Sequence, residues 1–241
     1  MSPATPPPEQ FVFVMAYGRS GSTLIQALLN ALPDTCIRGE NGGALNGLHA
    51  SWRRIAHTAQ LEGARGGPAT APDTPWFGAE ATEPRGYARA LGAAFTRHVL
   101  APPPGTRRAG CKEIRFHEGP GGWSDVLPFE GPGGFRDLLD FLTSAFPDAR
   151  FVLNSRDREA VARSGWWRQV PQPRMVEVLG RIDALFDQAA EAFPDRAIRL
   201  RYDDYAGHPD GFAPLFAHLG LPFDRDLAAR VLAKPLGHSG V

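Results

Sequence analysis

Lysine is nearly missing from this 241-residue chain: of its 26 lysine and arginine residues, only Lys112 and Lys234 are lysine. The arginine bias accompanies many Ala, Gly and Pro residues and reads as the mark of a GC-rich, bacterial genome. It leaves each lysine a position to explain. Cysteine is equally scarce, and Cys36 and Cys111 lack metal-ligand spacing, which fits a reduced, cytoplasmic compartment and argues against a metal centre. Net charge is absent too, with 26 acidic residues balancing 26 basic ones. No global field therefore draws nucleic acid or an anionic membrane, and any anion site has to be local. No apolar run approaches a membrane span; the longest near the start is Phe11 to Ala16. Residues 1–10 are Pro-rich, without the basic and apolar regions of a signal peptide, and read as a disordered lead-in to one domain over 11–241.

What is present is an alternation of short apolar strands with amphipathic helices. That pattern predicts an α/β fold with a mostly parallel sheet flanked by helices in three layers. Phe11 to Tyr17 is continuously apolar, as a strand buried on both faces requires. Further strands are expected at Thr35–Arg38, Arg108–Ile114, Arg150–Asn154 and Ala197–Tyr202. Helices are expected at about 22–32, 44–60, 85–100, 135–146, 158–167 and 175–193, with two short ones after the last strand. Residues 61–82 read as an exposed Gly/Pro/Ala-rich loop. The excursions 41–107 and 117–134 are the natural walls of an acceptor pocket, because loops on a rigid sheet carry specificity.

The first strand runs into Gly18-Arg19-Ser20-Gly21-Ser22-Thr23, where a helix begins. Strand, glycine-containing loop and helix together aim backbone N–H groups and a helix dipole at an anion. Two glycines allow close approach, Ser20, Ser22 and Thr23 add hydroxyl donors, and Arg19 adds a forked positive charge. The kinase pattern GxxxxGK followed by Ser or Thr is absent, because Gly21 stands where its lysine belongs. A second candidate lies in Phe151 to Ser164, where an apolar strand ends in Arg156-Asp157 and Ser164 follows eight residues after the arginine. Alone, that pattern is common.

Together the two segments resemble sulfotransferases that use 3′-phosphoadenosine 5′-phosphosulfate (PAPS), especially the bacterial and Golgi type with an R-S-G-(S/T)-T-L core. The resemblance implies a P-loop-type fold, PAPS as sulfuryl donor and adenosine 3′,5′-bisphosphate (PAP) as product. It implies that Arg19, Ser20, Gly21, Ser22 and Thr23 hold the 5′-phosphosulfate, and that Arg156 and a helical Ser164 hold the 3′-phosphate. Tyr202, in Arg201-Tyr202-Asp203-Asp204-Tyr205, matches a family tyrosine near the nucleotide. Lys234, in Lys234-Pro-Leu-Gly-His-Ser, resembles a basic segment that closes over it.

For catalysis, sulfuryl transfer needs a base for the attacking hydroxyl and cations near the leaving phosphate. Glu40, just past the second strand, is the favoured base, and protein-tyrosine sulfotransferases carry a glutamate in a similar place. Lys112, on the third strand, is the favoured cation, as the family implies. Cytosolic sulfotransferases carry a histidine two residues after that lysine, where this chain has Ile114; Glu113 and His117 remain rival bases. Of Trp166 and Trp167, one is expected in the core and the other on the adenine or acceptor. The acceptor is expected to present a free hydroxyl on a small molecule, glycan or lipid, with no nucleic-acid partner. Oligomeric state is not readable. A P-loop kinase is the alternative enzyme, with Asp157 or Asp203 as its metal-binding aspartate; a non-catalytic nucleotide-binding module is the other.

Overall fold

The computed structural model describes residues 6–64, 71–115 and 134–234. Its centre is a five-stranded parallel sheet in the order β2-β3-β1-β4-β5. The strands are β1 (Gln10–Ala16), β2 (Thr35–Arg38), β3 (Arg108–Glu113), β4 (Ala149–Ser155) and β5 (Ala197–Arg201). Between β1 and β3 lie α1 (Ser22–Asn30), α2 (Ala44–Ala64) and α3 (Pro84–Phe95). Then come α4 (Gly134–Ala145), α5 (Arg158–Ala162) and α6 (Gln172–Ala192). After β5 the chain forms α7 (Tyr202–Tyr205), α8 (Ala213–His218) and α9 (Arg225–Leu232). Among the described residues no helix is long and apolar enough to cross a membrane.

Alternation along β1 explains the three layers. Phe11, Phe13, Met15 and Tyr17 pack with α3, α4 and α6 on one face, while Val12 and Val14 pack with α1, α8 and α9 on the other. Both faces are covered, which is why β1 has no polar alternation to show. Its register pairs Phe13 with Cys111 on one side and Phe151 on the other. Gly110 leaves no room on β3: an added Cβ would stand 1.8 Å from the carbonyl oxygen of Val12. Gly110→Ala is therefore expected to cost about 3 kcal/mol or more by forcing the central strands apart, read as a fall in the urea midpoint.

Three expectations about helices need correction. The helix after β4 does not reach Trp167; it stops at Ala162, Ser164 is extended (φ −111°, ψ 139°), and a 3₁₀ turn spans Gly165–Gln169. Gly165 at φ +57° makes that break. The helix expected to end at Leu100 closes with a π turn over Thr96–Leu100, and Ala101 stops it at φ 39°. Within the expected loop 61–82, α2 continues to Ala64 and Ala79–Ala81 forms a 3₁₀ turn.

Candidate active site

The loop after β1 is shaped by two aromatic rings. A Cβ on Gly18 would stand 2.5 Å from the Trp166 ring, and one on Gly21 would stand 2.1 Å from the Tyr202 ring. Gly21 also has φ 83°, which glycine alone adopts at little cost. Arg19 takes φ 67° between them, a strained conformation for a residue with a side chain. The loop is tied down from below. Ser20 is buried, and Asn154 Nδ2 donates to its carbonyl at 2.8 Å and its hydroxyl at 3.3 Å. The Tyr205 hydroxyl donates to Asn154 Oδ1 at 2.9 Å, and Trp167 Nε1 donates to the Gly18 carbonyl at 2.9 Å. No side chain caps α1, whose first N–H groups face the loop. Ser22 is buried at that helix start and Thr23 is exposed.

The second candidate anion site is part of the same surface. Arg19 Nε donates to Ser164 Oγ at 3.1 Å, and an Arg156 terminal N–H donates to the Arg19 carbonyl at 3.2 Å. The Arg156 guanidinium lies 4.5 Å over the Tyr202 ring, and its Nε is buried without a hydrogen-bond partner among the described residues. Two arginines, a serine and a tyrosine from three separate stretches of chain thus converge at the carboxyl edge of the sheet. Asp157 and Asp203 are occupied otherwise. Asp157 Oδ1 caps α5 through the Ala160 N–H at 2.8 Å, and the Asp157 N–H donates to Asp203 Oδ2 at 2.9 Å.

Across β1, Glu40 and Lys112 form a pair. Lys112 extends from β3 with its side chain 8% exposed, and Nζ donates to Glu40 Oε1 at 2.5 Å. Arg115 donates to Glu40 Oε2 at 3.2 Å. The short edge strand β2 is held at α1 by Asn30, which exchanges two hydrogen bonds with the backbone of Ile37. Glu113 is buried and has a different task. Its Oε2 accepts from the N–H groups of Asn41 and Gly43, and its Oε1 from those of Ile114 and Arg115, at 2.8–3.1 Å. Four backbone donors engage this carboxylate, so it pins the turn after Glu40 to the end of β3 and is not free to take a substrate proton.

The sequence reading passed over Tyr17, Asn154, Asp183 and the clamping role of Glu113. Asn154 and Asp183 had a visible signal: Asn154 directly follows the apolar run Phe151 to Leu153, and Asp183 shares a helix face with Leu179 and Phe186. Tyr17 had none, since an aromatic residue ending a buried strand is ordinary. Burial, then the Asp183 carboxylate beside it, push the Tyr17 phenol well above its usual value, so the hydroxyl keeps its proton. Trp167 is in the core, whereas Trp166 is 42% exposed on the loop rim. Lys234 is exposed after α9, and its side chain makes no hydrogen bond or ion pair with the loop among the described residues. His117 and residues 235–241 lie outside the described residues.

The model of the Sulfotransferase family matches residues 11–225. The sulfotransferase domain of a Synechococcus olefin synthase superposes with a TM-score of 0.50 at 18% identity, covering 94% of this chain and 78% of that one. That likeness is one of fold. A Mycobacterium tuberculosis sulfotransferase gives 0.44 at 16% identity, over 93% of this chain and 71% of the other. Retinol dehydratase, solved with androsterone and the inactive cofactor PAP, gives 0.42 at 18% identity, over 95% and 64%. No curated protein matches the chain.

Proposed function

Because this chain belongs to the sulfotransferase family, we propose that it moves the sulfuryl group of PAPS onto an acceptor hydroxyl and releases PAP. The observation that carries the reading is the single surface formed by Arg19, Ser164 and Arg156. A nucleotide with anionic groups at both its 3′ and 5′ positions needs fixed positive charge at two points on one continuous wall. The residues present fit such a ligand. Among the described residues Arg156 Nε is a buried donor lacking an acceptor, and Gly18 and Gly21 let the Trp166 and Tyr202 rings close against the loop that carries Arg19.

When bound, the nucleotide supplies a sulfuryl group attached to a phosphate leaving group. Ser20, Gly21, Ser22 and Thr23 contribute loop and helix-start donors to its 5′ end, with Arg19 alongside. Arg156 and Ser164 bind the 3′-phosphate, and Tyr202 supports the Arg156 guanidinium from below. Glu40 takes the proton of the acceptor hydroxyl, since each of its oxygens keeps a lone pair beyond its bond to Lys112 or Arg115. Lys112 retains two further N–H donors for negative charge at the transfer centre. Lys234 is assigned to the nucleotide on resemblance alone. The acceptor is a small molecule, glycan or lipid, and two cysteines without metal-ligand spacing in the sequence fit a reducing cytoplasm as the setting.

The kinase reading lacks its lysine, and both of its candidate aspartates are engaged with backbone N–H groups. Calorimetric titration decides between them. PAP is expected to bind at least about tenfold more tightly than AMP, the equivalent of one charge-assisted hydrogen bond. Tighter binding of ATP with magnesium, or equal binding of PAP and AMP, would overturn the assignment.

A further inference from the structure

We propose that Tyr17 is a positioning residue for Arg156, and that its hydroxyl, anchored on Asp183, sets how strongly the protein prefers a nucleotide bearing a 3′-phosphate. The inference rests on the donor assignment above and adds a residue to it.

The argument begins where the sheet ends. The β1–β4 ladder closes at the pair Ala16 and Asn154. Beyond it β1 turns into the glycine loop, so the backbone of Arg156 has no strand to pair with on that side. The Tyr17 phenol takes the strand's place. Its oxygen accepts the Arg156 N–H at 2.9 Å and lies 3.0 Å from the Arg156 carbonyl. Asp183 Oδ1 lies 3.4 Å from the same oxygen. The oxygen thus receives the N–H of the residue that carries the candidate 3′-phosphate arginine, while its single proton is shared between that residue's carbonyl and Asp183.

The anchor is itself braced. Asp183 lies on the core side of α6, where Arg158 Nε meets Oδ2 at 2.8 Å and an Arg199 terminal nitrogen stands 3.6 Å from Oδ1. Arg199 also donates to the Leu153 carbonyl and to Ser155 Oγ, each at 3.3 Å, so it fixes the last turn of β4 from beneath. The Arg156 guanidinium leaves on the other side, to the Arg19 carbonyl and over Tyr202. Both ends of Arg156 are therefore constrained, and freeing the backbone end misdirects the guanidinium. A displacement of about 1 Å at a supporting residue is enough to weaken a geometrically demanding contact severely.

Tyr17→Phe keeps the ring and removes only the hydroxyl. PAP affinity is expected to fall about tenfold and AMP affinity less than about twofold, the size of one lost charge-assisted contact. The KM for PAPS is expected to rise by more than kcat falls. The decisive readout is the same change made in an Arg156→Ala background, where it should cost PAP binding almost nothing further, because coupled residues are non-additive. An equal loss for PAP and AMP, an unchanged PAP-to-AMP ratio, or additive losses in the double variant would each overturn the proposal. Failure of the donor assignment looks different: the unaltered protein would then show no preference for PAP over AMP.

Discussion

Glu40→Gln is expected to lower kcat by about 10²–10⁴-fold, the range spanned by a positioned general base. The amide oxygen still accepts from Lys112 and the side chain keeps its length, while the amide NH2 that replaces Oε2 cannot accept from Arg115. What disappears with that contact and the negative charge is the capacity to take a proton. Because Glu40 stands across β1 from Arg156 and Ser164, affinity for PAP should stay within about twofold, a split between turnover and binding that separates loss of chemistry from loss of fold. Single-turnover transfer measured beside a PAP titration provides both numbers. Retention of kcat would remove Glu40 from the proton's path. Glu113 would not replace it, with all four of its bonds directed to backbone.

The second large effect is on recognition. Arg156→Ala removes the guanidinium from Tyr202 and from the Arg19 carbonyl. PAP binding is expected to weaken by about 2–3 kcal/mol, roughly 30- to 150-fold, as charge-assisted contacts are worth in a partly buried setting. AMP, with a hydroxyl and no phosphate at its 3′ position, should lose less than about threefold, since the remaining effect is the cation–π support given to Tyr202. Equal losses for the two nucleotides would mean that Arg156 serves the loop rather than the ligand. Titration of both nucleotides against the variant separates the outcomes.

These effects were partly legible before any coordinates. The apolar run of β1, the glycines around Arg19 and the strand ending in Arg156 each carry their own physical signal, and each falls where the sequence put it. The strands were legible because burial on both faces leaves no polar interruption. Ser164 was misread as helical because nothing before it stops a helix, and the single glycine that follows, Gly165, is a weak stop signal. Gly21 illustrates a different limit. Its loop role was readable, but the Tyr202 ring that forbids a Cβ there arrives from 181 residues away, and no local pattern announces such a meeting. Tyr17 and Glu113 were illegible for the same reason, since Arg156 and Asp183 come to the one, and the N–H groups of Asn41 and Gly43 to the other, only through the fold.

The central position of β1 has a mechanical consequence. On the proposed roles, Glu40 and Lys112 carry the proton and charge chemistry on the β2–β3 side, while Arg156, Ser164 and Tyr202 carry nucleotide recognition on the β4–β5 side. The loop that leaves β1 stands between them, and beneath it Leu45, Ala88 and Phe95 of one flank share a core with Leu138, Leu142 and Ile182 of the other. Donor and acceptor are thus held by opposite edges of one stiff plate, so their separation is fixed by the width of the sheet rather than by the reach of any side chain.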